Sequence, residues 1–88
     1  MTATISAQAL SKLRWRCRRG LLENDLLIER FFQRRRSVTQ ADANGLHALM
    51  QLDDYDLLDL FLGREKPTGR LDTPEVRQVL ETVRTPNA

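Results

Sequence analysis

One cysteine and one histidine in 88 residues exclude more than any motif in the chain supplies. With Cys17 alone there is no intramolecular disulfide, and a lone thiol suits a reducing compartment such as the cytosol. Cys17 and His47 together cannot furnish the usual ligand set of a zinc site. Four scattered glycines, at positions 20, 45, 63 and 69, cannot make a phosphate-cradling or dinucleotide-binding loop. No apolar run approaches the roughly 20 residues that cross a bilayer, and no secretory signal pattern opens the chain. No stretch alternates with period two, which argues against a sheet.

Catalysis lacks its components too. A hydrolytic triad needs a nucleophile, a base and an orienting group. His47 follows Leu46 inside a helical pattern and borders core or solvent. Cys17 lies on an apolar stripe, as a buried small hydrophobe would, although the neighbouring arginines would activate an exposed thiol. The acids Asp53, Asp54, Asp56 and Asp59 lack the central glycine and terminal glutamate of a calcium loop, and read as helix caps and a solvated face. No catalytic, metal-binding or cofactor-binding residue is assigned.

What the chain does have is charge, unevenly placed. Fourteen Lys/Arg face twelve Asp/Glu, a net of +2. Residues 1–36 hold nine basic and three acidic residues, and residues 37–88 hold five and nine. A basic end and an acidic end can orient a charged partner. Residues 1–22 contain no acid, a composition shared with organellar transit peptides. Their removal would leave about 65 residues, small for an unstapled domain, so the segment is read as a helix.

Periodicity predicts an all-α fold, a compact small five-helix bundle forming one domain over 1–88 and ordered from about 6 to 84. Met1 to Thr4 should fray. Ser6 caps a first helix running through Arg19, with Leu10, Leu13 and Cys17 inward and Gly20 as the left-handed residue just past its end. The second helix runs from Leu21 or Leu22 to Arg34 and is closed by Arg34, Arg35 and Arg36. Leu21, Leu27, Ile28, Phe31 and Phe32 make one face and Leu22 and Leu26 a second apolar flank, which predicts the central helix, packed on two sides. Thr39 and Asp42 form a capping box, with Val38 stapled onto Ala43. That third helix reaches about Leu52, burying Ala43, Leu46, Leu49 and Met50, and Gly45 marks a close crossing. Asp53 or Asp54 caps a short fourth helix carrying Leu57, Leu58, Leu60, Phe61 and Leu62, ended by Gly63. Residues 64–72 are a loop. Thr73 and Pro74 open a fifth helix with Val76, Val79, Leu80 and Val83 inward, ended by Pro86.

Two binding classes remain. The arginines of the first helix and Arg34 to Arg36 could face nucleic acid, but the second half is acidic and residues 53–62 lack the polar side chains of a recognition helix. A protein-binding module is favoured. Trp15 falls off the apolar stripe amid arginines, where it either covers the end of the core or joins an interface enriched in Trp and Arg. The junction Arg18-Arg19-Gly20-Leu21-Leu22-Glu23, where a basic helix gives way to an apolar one, is the candidate surface.

The pattern Cys17-Arg18-Arg19-Gly20-x-x-Glu23-x-Asp25, with Phe31-Phe32 and then Gly63 and Lys66-Pro67, resembles the succinate dehydrogenase assembly factors, also called the SdhE, YgfY or flavinylation-factor family. The likeness covers roughly residues 10–82. It implies a soluble five-helix bundle, cytoplasmic in bacteria, that binds the flavoprotein subunit of succinate dehydrogenase, and in some bacteria of fumarate reductase. It implies promotion of covalent FAD attachment to a histidine of that subunit, the FAD belonging to the client. The family motif falls on Arg19, Gly20 and Glu23, with Arg18 and Asp25 supporting. Leu60 stands where many members carry tryptophan.

Overall fold

Side-chain caps set where four of the five helices begin. In the computed structural model, which describes residues 3–35 and 37–84, α1 spans Ala7–Arg16, α2 Leu22–Arg34, α3 Gln40–Leu49, α4 Asp54–Phe61 and α5 Pro74–Arg84. A single 3-10 turn, Gly69–Leu71, interrupts the connection before α5. The Ser6 hydroxyl accepts from Ala9 N–H at 3.1 Å, Asp53 from Asp56 N–H at 2.8 Å, and Thr73 from Val76 N–H at 3.1 Å. The capping box at α3 is reciprocal: Thr39 Oγ1 accepts from Asp42 N–H at 3.1 Å and Asp42 accepts from Thr39 N–H at 3.0 Å. Each cap satisfies amide groups that the first helical turn leaves without partners.

The apolar stripes meet in one core. Leu13, Cys17, Ile28, Phe31, Phe32, Leu46, Leu49, Leu57, Leu60 and Phe61 are buried in it, together with the whole inward stripe of α5. At its densest crossing α3 lies so close to α5 that a Cβ on Gly45 would sit 2.6 Å from the Glu75 carbonyl oxygen. The predicted close approach at Gly45 is therefore real. Segments at the edges are tied by backbone bonds, Ile5 N–H donating to Val38 O at 2.9 Å and Gln40 N–H to Ala3 O at 2.8 Å. The arginines at the C-terminal end of α2, Arg34 and Arg35, are drawn inward. Arg34 donates to the Thr82 carbonyl at 2.7 Å, near the C-terminal end of α5, and Arg35 pairs with the buried Asp42 at 3.3 Å.

Several expectations change. The first helix stops at Arg16, short of Arg19, with Cys17 as its C-cap. Gly20 has the expected positive φ, +89°, but lies within a separate link and not just past the helix end. The central helix is α5, which packs against α2, α3 and α4, and not α2. The flank of α2 expected to be covered lies open, with Leu22 66% and Leu26 61% exposed. An apolar stripe cannot reveal whether enough neighbours exist to cover it, and here α4 and α5 take up the other face. The third helix ends at Leu49, leaving Met50 half-buried as its C-cap. Leu62 is the exposed C-cap of α4. The expectations for Met1, Thr2, Arg36 and Pro86 fall outside the described residues.

Candidate partner-binding site

The link between α1 and α2 is built by charge. Cys17 N–H makes the last helical bond, to Leu13 O at 3.0 Å, and Arg18 N–H then turns back to Trp15 O at 3.2 Å. The next two amides are captured from the far side. Asp25, in the first turn of α2, accepts Arg19 N–H at 2.9 Å and Gly20 N–H at 3.1 Å, one on each carboxylate oxygen. Amide bonds to an ionised carboxylate are stronger than the neutral bonds that two more residues of α1 would have made. This accounts for the early end of that helix.

The Arg19 side chain points inward. Its Nε donates to Asp54 at 2.8 Å, one Nη to the Met50 carbonyl at 2.8 Å, and the other Nη to the Leu52 carbonyl. Those carbonyls close the end of α3, where a cation is favoured. Beside them Asn24, wholly buried, donates from Nδ2 to the Asp54 carbonyl at 2.8 Å. Arg19 therefore clamps the α1–α2 link onto the α3–α4 link, with 16% of its side chain exposed. Its donors face the interior of the chain.

The remaining junction residues look outward. Glu23 is exposed in the first turn of α2 and makes no ion pair among the described residues. Gly20 is exposed, and nothing lies within 4 Å of where its Cβ would be. A side chain there would be strained by the positive φ and would project away from the fold. Trp15 is 73% exposed and so does not cover the end of the core. The Arg18 guanidinium lies over the Trp15 ring, 5.7 Å from its centroid. Arg14 lies over Phe32 at 5.1 Å and pairs with Glu29 at 3.2 Å.

The sequence-selected residues therefore gather at one junction but divide by role. Arg19 and Asp25 build it, while Trp15, Arg18, Gly20 and Glu23 present it. Sequence reasoning missed Asp54 and Asn24 as parts of the clamp. Asp54 carried only a capping signal, and Asn24 gave a usable one, an amide in the first turn of a helix rich in leucine.

Other chemistry is muted. Burial pushes the Cys17 thiol up from its ordinary 9.0 to about 11, against the opposing pull of Arg19. It is a protonated core group at neutral pH. His47 is exposed. Among the described residues no group of three or more His, Cys, Asp or Glu could hold a metal, and no helix is long and apolar enough to cross a membrane.

One protein family, described as flavinator of succinate dehydrogenase (Sdh5), matches residues 11–85. The chain belongs to this family. The match runs from within α1 past the end of α5 and includes the whole junction. Relatives include the FAD assembly factor SdhE of Ralstonia nicotianae, 48% identical over 94% of this chain and 93% of that protein. The FAD assembly factors SdhE of Coxiella burnetii, 34% identical over 85% and 88% of the two chains, and of Aliivibrio fischeri, 30% identical over 86% and 90%, are similar along nearly their full lengths. No solved structure matches the chain. The all-α fold of five helices agrees with the expectation drawn from the family resemblance.

Proposed function

We propose that this chain is an assembly factor for the flavoprotein subunit of succinate dehydrogenase, which it binds to promote covalent attachment of FAD. The family and its relatives, named for flavin assembly, support the reading. The observation that carries the site is the clamp: Arg19 and Asp25 hold the link rigid while Trp15, Arg18, Gly20 and Glu23 stand free of the core. A surface preorganised in this way binds without the cost of ordering a loop.

The chain acts by docking and supplies no catalytic group. It shifts the client toward the conformation in which the client's own residues complete the attachment. The size of that shift is set by the difference in affinity between competent and incompetent client states. The FAD is the client's cofactor. Fumarate reductase, whose flavoprotein subunit undergoes the same chemistry, is a second client in this reading. The lone reduced thiol supports a cytoplasmic setting.

Nucleic-acid binding is the weaker reading. Arg14, Arg19, Arg34 and Arg35 are all engaged with partners inside the fold, which thins the basic face that reading needs. Titration of the purified flavoprotein subunit into wild type and Glu23→Ala, with in-gel flavin fluorescence in parallel, tests the proposal. Glu23→Ala should melt as wild type yet bind and flavinylate less. Equal binding by the two proteins would sink the interface.

A further inference from the structure

A groove of about 480 Å³ runs between α1 and the side of α2 that carries Asp25, Ile28, Glu29 and Phe32. Its floor is the edges of Ile28 and Phe32, with Cys17 beneath, and exposed Trp15 stands on its rim. Of its four charged residues, three are already engaged. Asp25 accepts the two link amides, and Arg14 and Glu29 pair with each other. Arg18 alone has no acid partner among the described residues, its guanidinium resting over the Trp15 ring. The groove thus offers an apolar floor, an aromatic wall and one uncompensated cation. It lacks the several convergent polar groups by which small-molecule clefts fix a ligand.

On the α2 side the open flank adds to it. At about 100° per residue, Leu22 and Leu26 lie roughly 60–100° around α2 from Asp25, on the same side as Glu29. The groove therefore borders an exposed apolar strip at its side, and Trp15 and Arg18 tie it to the junction, whereas Glu23, about 160° around α2 from Asp25, faces away from it. We infer that this groove receives a segment of the flavoprotein partner, seating one aromatic or branched aliphatic side chain between Trp15 and Phe32 with a neighbouring carboxylate on Arg18. The inference rests on the proposed docking function and specifies its chemistry. A Trp and an Arg flanking a pocket at the centre of a contact are the residue types that dominate binding energy. The pairing also explains why Arg18 is held over a ring and not left to sweep solvent: a pre-placed cation loses less freedom on binding.

Ser11, exposed on α1 and lining the groove, allows a selective block. In Ser11→Cys the new thiol is open, whereas Cys17 is buried and protonated at neutral pH, so pyrene maleimide should add once, as mass spectrometry can verify. The flavoprotein subunit is then titrated into the same variant before and after labelling, so that any effect of the substitution itself cancels. Gln78→Cys on the exposed face of α5, labelled identically, is the control. The label at position 11 should weaken binding at least about tenfold and the label at 78 should not. Arg18→Gln should weaken binding by a similar factor at low salt and flatten its salt dependence.

Unchanged affinity on labelling position 11, with binding lost in Glu23→Ala, overturns the groove and leaves the docking reading standing. Unchanged affinity in both overturns the two together. Wild-type affinity in Arg18→Gln removes the carboxylate. A chain that dimerises alone in the ultracentrifuge, and becomes monomeric when labelled at 11, puts a second copy in the groove and overturns the proposal.

Discussion

Replacing Arg19 by alanine should reduce stability and client binding together, which distinguishes it from the outward-facing Trp15, Arg18 and Glu23. The guanidinium joins Asp54 and the carbonyls of Met50 and Leu52, with bonds of 2.8 Å to Asp54 and to Met50. A hydrogen bond to a charged group contributes about 1.5–3 kcal/mol net, and such bonds are not additive when they share one group. Asp54 is 36% exposed, so water will partly replace what it loses. The expected cost is therefore about 2 kcal/mol, near the low end. In a domain of this size that lowers Tm by about 8–16 °C. Lysine at 19 should recover less than half, because a point charge cannot serve three acceptors in a fork geometry. Thermal unfolding by circular dichroism, paired with titration of the flavoprotein subunit, reads both effects. Arg18→Ala, whose side chain rests on an exposed ring, should leave Tm unchanged. An Arg19→Ala protein that melts within about 2 °C of wild type would refute the clamp and return Arg19 to direct partner contact.

Three further outcomes follow from the packing. Gly45→Ala gains about 1 kcal/mol of helix propensity but places a methyl 2.6 Å from a backbone oxygen of α5. Overpacking of about 1–3 kcal/mol should win, and a Tm equal to or above wild type would show that the crossing relaxes freely. Cys17 is held protonated by burial, with its pKa raised from 9.0 to about 11. Its contribution should be intact below pH 9 and fall as pH rises from 9 toward 11, because the unfolded chain loses that proton first. Urea unfolding of wild type against Cys17→Val between pH 8 and 11 isolates the effect, and a constant difference would contradict it. Leu26→Gln, on the open flank of α2, should change stability by no more than ~0.5 kcal/mol, and a larger loss by denaturant titration would show that the flank is covered in solution.

Much of the fold was legible because its signals are local. The capping box at Thr39 and Asp42, the caps at Ser6, Asp53 and Thr73, and the stripe of α5 all reappear as bonded or buried groups. Even Gly45 announced its crossing, since a glycine inside a helix is costly without a reason. The failures are equally informative. The end of α1 was misread because basic residues and a glycine imitate a helix terminus, whereas the competing acceptor, Asp25, lies in the next helix. Leu22 and Leu26 were read as buried because periodicity reports which residues share a face and not what stands opposite that face.

By itself the sequence determined that this is a chain of five helices with a single cysteine, a single histidine and a charged junction near position 20, and its motif pointed to the family. These properties depend on residues within a turn or two of one another, or on composition. Only the tertiary structure decided which junction residues build the surface and which display it. Arg18 and Arg19 are adjacent and chemically identical. One reaches α4 and the end of α3, more than thirty residues along the chain, while the other rests on an exposed tryptophan. An arginine's role follows from the acceptors within its reach, and folding alone brings Asp54, Met50 and Leu52 there.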